Sequence, residues 1–167
     1  MTALPTIPED CWLPALEATD CIIVGGGNGG YLNYWMQESG LGARLPALLR
    51  AKVYVGVSAE SMVATHSFQA DPAVLAERGV YRDADYEEDA PPGAGSDRTL
   101  GLVPFVIRPH LNADYFPTAT LARFARSATS LDVPLYAIDD QTAIAVTDGD
   151  VRVISEGAWE LFDKERR

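Results

Sequence analysis

An α/β fold built on a mainly parallel sheet is the architecture this sequence predicts, and its first sixty residues carry the evidence. Cys21-Ile22-Ile23-Val24 is a continuous apolar run closed by glycines, the pattern of a strand covered on both faces. Residues 52–57 form a second such run. Residues 31–39 and 44–50, between the two, have helical spacing broken at Gly40 and Gly42. Strand, helix and strand in this order imply right-handed crossovers and parallel pairing.

The remaining elements follow in turn. Residues 1–8 hold two prolines and little periodicity, and residues 11–18 predict a short helix ahead of the first strand. After the second strand, Ser58 opens a helix of small residues. Residues 71–98 turn acidic, with Asp83, Asp85, Glu87, Glu88 and Asp89 ahead of Pro91-Pro92-Gly93. That composition reads as a solvated loop, or a lid beside an active site. Residues 102–107 predict a buried strand that delivers Arg108-Pro109-His110 at its end. Residues 118–130 carry Leu121, Phe124, Ala125 and Ala128 at helical spacing, with Arg123 and Arg126 toward solvent. Residues 135–138 predict a strand ending in Asp139-Asp140. Residues 143–146 and 151–154 flank Asp148-Gly149, a turn pair suited to a C-terminal β-hairpin. Residues 159–162 and a charged tail close the chain, and 1–167 reads as one domain.

Charge and composition narrow the function. The chain has 167 residues, 47% hydrophobic and 22% charged, with a net charge of −11. Nucleic acid and anionic membranes both demand a basic face, so neither is an expected partner. No apolar run reaches the roughly 18–20 residues of a membrane-spanning helix, and the N-terminus lacks a basic segment followed by an apolar core. A cytoplasmic protein is the expectation, with a homodimer allowed. Cys11 and Cys21 have neither metal-ligand nor C-x-x-C spacing and read as small buried thiols. With two histidines besides, neither a metal nor an organic cofactor is expected.

The chemistry centres on Tyr54-Val55-Gly56-Val57-Ser58-Ala59-Glu60-Ser61. A serine on a sharp strand-to-helix turn presents its hydroxyl above the sheet beside the first helical N–H groups, which makes Ser58 the nucleophile candidate. The elbow pattern G-x-S-x-G keeps its first glycine as Gly56 but has Glu60 in place of the second. Gly25-Gly26-Gly27-Asn28-Gly29-Gly30 lies between a strand and a helix. It spells no phosphate loop, and no acidic residue follows at the distance a dinucleotide site uses, so its expected role is donating an oxyanion N–H. His110, at a strand end, is the candidate base. His66, about two turns beyond Ser58, reads as structural.

Taken together, Ile23-Val24-Gly25-Gly26-Gly27-Asn28, Gly56-Val57-Ser58-Ala59, Leu100-Gly101-Leu102-Val103-Pro104, Pro109-His110 and Ile138-Asp139-Asp140 resemble the dipeptidase E (aspartyl dipeptidase) family of serine peptidases, related to cyanophycinase. The similarity runs from about Asp20 to Phe162. It implies a three-layer sandwich of the class I glutamine amidotransferase-like type, here without the first strand-helix region. It also implies a Ser58 nucleophile, a His110 base, an oxyanion hole from the N–H groups of Gly27 and Ala59, and hydrolysis of short peptides with an N-terminal aspartate. Such a substrate needs a cation; Arg108 is nearest in sequence to His110, Arg82 and Arg98 are alternatives, and Asn28 is a further candidate contact.

Two carboxylates compete as the triad acid, with a different acid, or none, as the third alternative. Glu60 could orient His110, or serve only as an acidic residue at a helix N-terminus; Asp71 matches the family's usual aspartate most nearly. The rival reading of the whole chain is a non-catalytic binding or regulatory domain that keeps the peptidase fold with an altered elbow, and Glu60 is the residue that divides the two.

Overall fold

The computed structural model describes residues 3–68 and 98–164. Asp71, Arg82 and the acidic stretch up to residue 97 lie outside the described residues. The chain divides into two compact units, Met1–Leu102 and Val103–Arg167. Both are mixed α/β with parallel strand pairs.

In the N-terminal unit a 3₁₀ turn, Leu4–Thr6, precedes helix α1 (Glu9–Glu17), strand β1 (Cys21–Val24), helices α2 (Gly29–Glu38) and α3 (Leu41–Leu48), strand β2 (Val53–Gly56) and helix α4 (Ala59–Val63). Strands β1 and β2 pair in parallel, with Cys21 opposite Val53 and Ile23 opposite Val55. Residues alternate across a pleat, so Ile22 turns into a core shared with Trp12, Met36, Leu45, Val63 and Phe68. Among the described residues the opposite face is uncovered, with Ile23 71% and Val53 61% exposed. The sequence expectation of two covered faces therefore holds on one side only, and Cys21, which shares the outward pleat with Ile23, is exposed. Cys11 is exposed too, so neither thiol is the buried group expected.

The C-terminal unit comprises β3 (Val106–Arg108), helix α5 (Leu121–Ala128), β4 (Leu135–Ile138), β5 (Thr142–Thr147), β6 (Asp150–Ser155) and β7 (Trp159–Phe162). Strand β4 pairs in parallel with β3, Val106 opposite Leu135, and antiparallel with β7, Leu135 opposite Phe162. Burying Phe124 of α5 with Val106, Leu111 and Leu135 builds this unit's core; each large apolar side chain contributes about 1.5–3 kcal/mol. Strands β5 and β6 pair antiparallel through Asp148 and Gly149, whose φ values of 52° and 88° fit the twist of a two-residue turn.

Two boundaries differ from the sequence expectation, each for a local reason. Strand β3 begins at Val106, not at residue 102, because the Leu102 N–H donates to the Ala64 carbonyl and Pro104 has no N–H to give a ladder. Helix α5 begins at Leu121 because Thr120, still extended at φ −105°, caps it by accepting the Arg123 N–H at 3.3 Å.

Among the described residues no helix is long and apolar enough to cross a membrane.

Candidate active site

Ser58 sits where β2 gives way to α4. The Val57 N–H extends the β1–β2 ladder by donating to Val24 O at 3.0 Å, and one residue later the chain turns into helix. The turn forces Ser58 to φ 58° and ψ −117°, a conformation costly for any residue with a side chain, at about 1–3 kcal/mol. The serine thus stands, strained, at a sharp turn from strand to helix. Its side chain does not cap α4; the Ser58 carbonyl instead accepts the Ser61 hydroxyl at 2.6 Å, closing the first helical turn.

Two glycines make the elbow sterically feasible. A Cβ on Gly56 would come within 3.0 Å of the Glu60 carbonyl, so the absent side chain lets α4 fold back against its own strand. A Cβ on Gly26 would stand 2.9 Å from the Ser58 Cβ and 3.1 Å from its Oγ. The glycine-rich loop therefore lies against the candidate nucleophile itself. Gly26→Ala is expected to slow reaction of Ser58 with a fluorophosphonate at least tenfold, since relieving such overpacking costs about 1–3 kcal/mol of misplacement. Rate measurements on the folded variant check this; a wild-type rate would mean that Ser58 tolerates the methyl group.

Beside Gly26, Gly27 takes φ 130°, a conformation that strains other residues. Ala59 is buried as the first residue of α4. Asn28 has a definite structural duty: its Oδ1 accepts the Tyr31 N–H at 2.9 Å and caps α2.

Glu60 is fully buried. Its Oε1 accepts the Tyr54 hydroxyl of β2, and its Oε2 has no hydrogen-bond partner among the described residues. Burial pushes its carboxyl up to about 8. The second elbow glycine is thus replaced by a carboxyl turned inward onto the strand.

The candidate base lies in the C-terminal unit. His110 follows β3 with φ 62°, and the neighbouring Leu111 N–H donates to Ile138 O at 2.9 Å, tying the end of β3 to the end of β4. That tie brings Asp140 to the imidazole: His110 Nδ1 and Asp140 Oδ1 are 2.6 Å apart. The Tyr115 hydroxyl donates to Asp140 Oδ2 and stands 3.2 Å from His110 Nδ1. Phe116 stacks on the imidazole at 4.6 Å, with ring planes 18° apart, and fixes its tilt. Hydrogen bonding by Tyr115, reinforced by His110, holds the Asp140 carboxyl below the usual carboxylate range despite partial desolvation. Arg108 ends β3 two residues earlier, half-buried. His66 lies past the end of α4 and is exposed.

Asp139 prepares this arrangement. Its carboxylate accepts the Gln141 N–H at 3.1 Å, the Thr142 hydroxyl at 2.6 Å and the Ala158 N–H. Burial works against its charge, but those donors outweigh it and keep the carboxyl ionised below the usual range. Any Cβ on Gly157 would collide with that carboxylate. The turn carrying Asp140 is thereby fixed from both sides.

The partner of His110 is thus Asp140, a residue the sequence marked only as part of a strand end. Glu60, expected to orient the imidazole, is committed to Tyr54 because its side chain turns under the elbow. Asp71 lies outside the described residues. Asp140 had a usable signal, an acid at the C-terminal end of the strand after the one that carries the histidine. Tyr115, Phe116 and Tyr54 had none, since an aromatic in a loop or strand reads as packing. Among the described residues no three His, Cys, Asp or Glu side chains gather as metal ligands.

The fold is mixed α/β with parallel strand pairs, and the comparisons agree with it. A candidate peptidase E from Listeria monocytogenes EGD-e, solved by crystallography, superposes with a TM-score of 0.69 over 92% of this chain and 68% of its own, at 20% identity. Residues 8–154 match the model of peptidase family S51. The chain belongs to peptidase family S51. Comparison with curated proteins returns no match.

Proposed function

We propose that the protein is a serine peptidase that cleaves short peptides, with Ser58 as nucleophile, His110 as general base and Asp140 as the acid that orients it. The observation that carries this reading is the His110–Asp140 bond at 2.6 Å, at the end of one strand pair, in a chain whose other strand pair ends in a strained serine. Because Asp140 holds Nδ1, proton transfer is assigned to Nε2. Ser58 Oγ attacks the scissile carbonyl while Nε2 takes its proton. The tetrahedral oxygen is held by N–H groups of Gly27 and Ala59. Collapse expels the amine with the proton from Nε2, and water then attacks the acyl-serine by the same route in reverse. Glu60 takes no part in these transfers.

For the substrate we keep a dipeptide with an N-terminal aspartate. Arg108, two residues before the base, supplies the cation that its carboxylate requires, and local pairing must overcome the repulsion of a chain with net charge −11. Asn28 is a second contact through its amide group, its oxygen being occupied by the cap.

A fluorophosphonate probe followed by peptide mapping tests the nucleophile. Wild-type protein is expected to label at Ser58 and to hydrolyse Asp-X dipeptides, and Ser58→Ala to do neither. Folded wild-type protein that does not label would favour a binding domain on a peptidase fold.

A further inference from the structure

The G-x-S-x-G pattern places a glycine where this chain has Glu60, so a buried carboxyl there requires a physical account. One oxygen has a single donor, the Tyr54 hydroxyl, and the other has no partner among the described residues. A carboxylate needs several donors to replace the water it loses, whereas the neutral acid loses far less on burial. The side chain is fully buried, on a backbone packed against its own strand. Gly56 stands against the Glu60 carbonyl at the distance where even a methyl group would press, so residue 60 is held on β2. Helix α4 is only 5 residues long, and Ser58 is its N-cap. A backbone shift of α4 at Glu60 is therefore transmitted to Ser58.

We infer that Glu60 and Tyr54 form a protonation-dependent latch that positions the Ser58 elbow, closed while the carboxyl is neutral and released as it ionises. The inference deepens the serine-peptidase reading and rests on it for the meaning of Ser58. Tyr54 is the ionisable group of β2, and α2, packed on α4, carries Tyr31, Tyr34 and Glu38. Of these only Tyr54 bonds to Glu60, and burial alone displaces the titration, which falls near pH 8. Glu60 is a positioning residue in this scheme and touches no substrate.

Amide hydrogen exchange over residues 57–63, expressed as protection factors from pH 6 to 9.5, reads the latch directly. Wild-type protection is expected to fall at least tenfold across pH 8, and Glu60→Gln, which keeps the hydrogen bond without the charge, to show no step. Tyr54→Phe removes a bond that the closed, neutral state makes and the released state does not, so its step is expected at lower pH. Ser58 labelling rates should fall over the same interval in wild type and stay level in Glu60→Gln. Equal pH dependence in wild type and Glu60→Gln would overturn the latch, as would an unmoved step in Tyr54→Phe should the glutamine variant not fold. An exchange step without labelling at any pH leaves the latch standing and removes the peptidase reading. Labelling without a step does the reverse.

Discussion

Asp140→Asn is expected to lower kcat by roughly 10²–10⁴-fold while leaving the fold intact. The carboxylate contacts His110 Nδ1 at 2.6 Å, and an amide there can present its NH₂ group to Nδ1, stabilising the tautomer with its proton on the wrong nitrogen. It also loses the negative charge that stabilises the imidazolium formed during attack. Folding should survive because the side chain is 45% exposed and anchors no core. Steady-state kinetics on an Asp-X dipeptide, paired with urea unfolding, separate the two effects. Unchanged kcat would transfer the orienting role to another acid, Asp71 first, and a matched loss of stability would reduce Asp140 to a structural residue.

The second large effect is on stability. Glu60 has a folded-state pKa of about 8 against an ordinary 4.5. The folded protein therefore binds this proton more tightly than the unfolded chain. The associated stabilisation is complete below about pH 4.5, declines as pH rises, and is gone above about 8. The full excursion is about 5 kcal/mol at 1.36 kcal/mol per unit, a large part of the stability of a small protein. Asp139 and Asp140 act in the opposite direction at lower pH, because their depressed titrations remove stability as they protonate. Maximal stability is thus expected on the mildly acidic side, near pH 5. Urea midpoints measured from pH 4 to 9 should fall across the neutral range in wild type and flatten in Glu60→Gln. Superimposable curves would mean that Glu60 titrates normally and finds water in the folded state.

Much of this architecture was legible because it rests on local pattern. The apolar runs at Cys21–Val24 and Leu135–Ile138 became strands with those bounds, and the Gly56-Val57-Ser58 sequence became the expected strand-to-helix turn. Where expectation and structure part, a non-local contact decides. Leu102 looked like strand but spends its N–H on Ala64, and Cys21 looked buried until the pleat turned it outward. The acid on His110 illustrates the same limit. Sequence proximity to Ser58 favoured Glu60, whereas parallel pairing of β3 with β4 brings in Asp140 from 30 residues away. Which way a glutamate points, inward to Tyr54 or outward to a histidine, is settled by packing and leaves no mark on the spacing of residues.

Both cysteines of this chain, Cys11 and Cys21, lie exposed in the N-terminal unit, and residues 103–167 contain none. A maleimide dye or spin label will accordingly decorate the serine-bearing unit alone, and residues 103–167 will carry no label. Unfolding of one half can then be followed separately from the other in the wild-type sequence, with no cysteine added or removed.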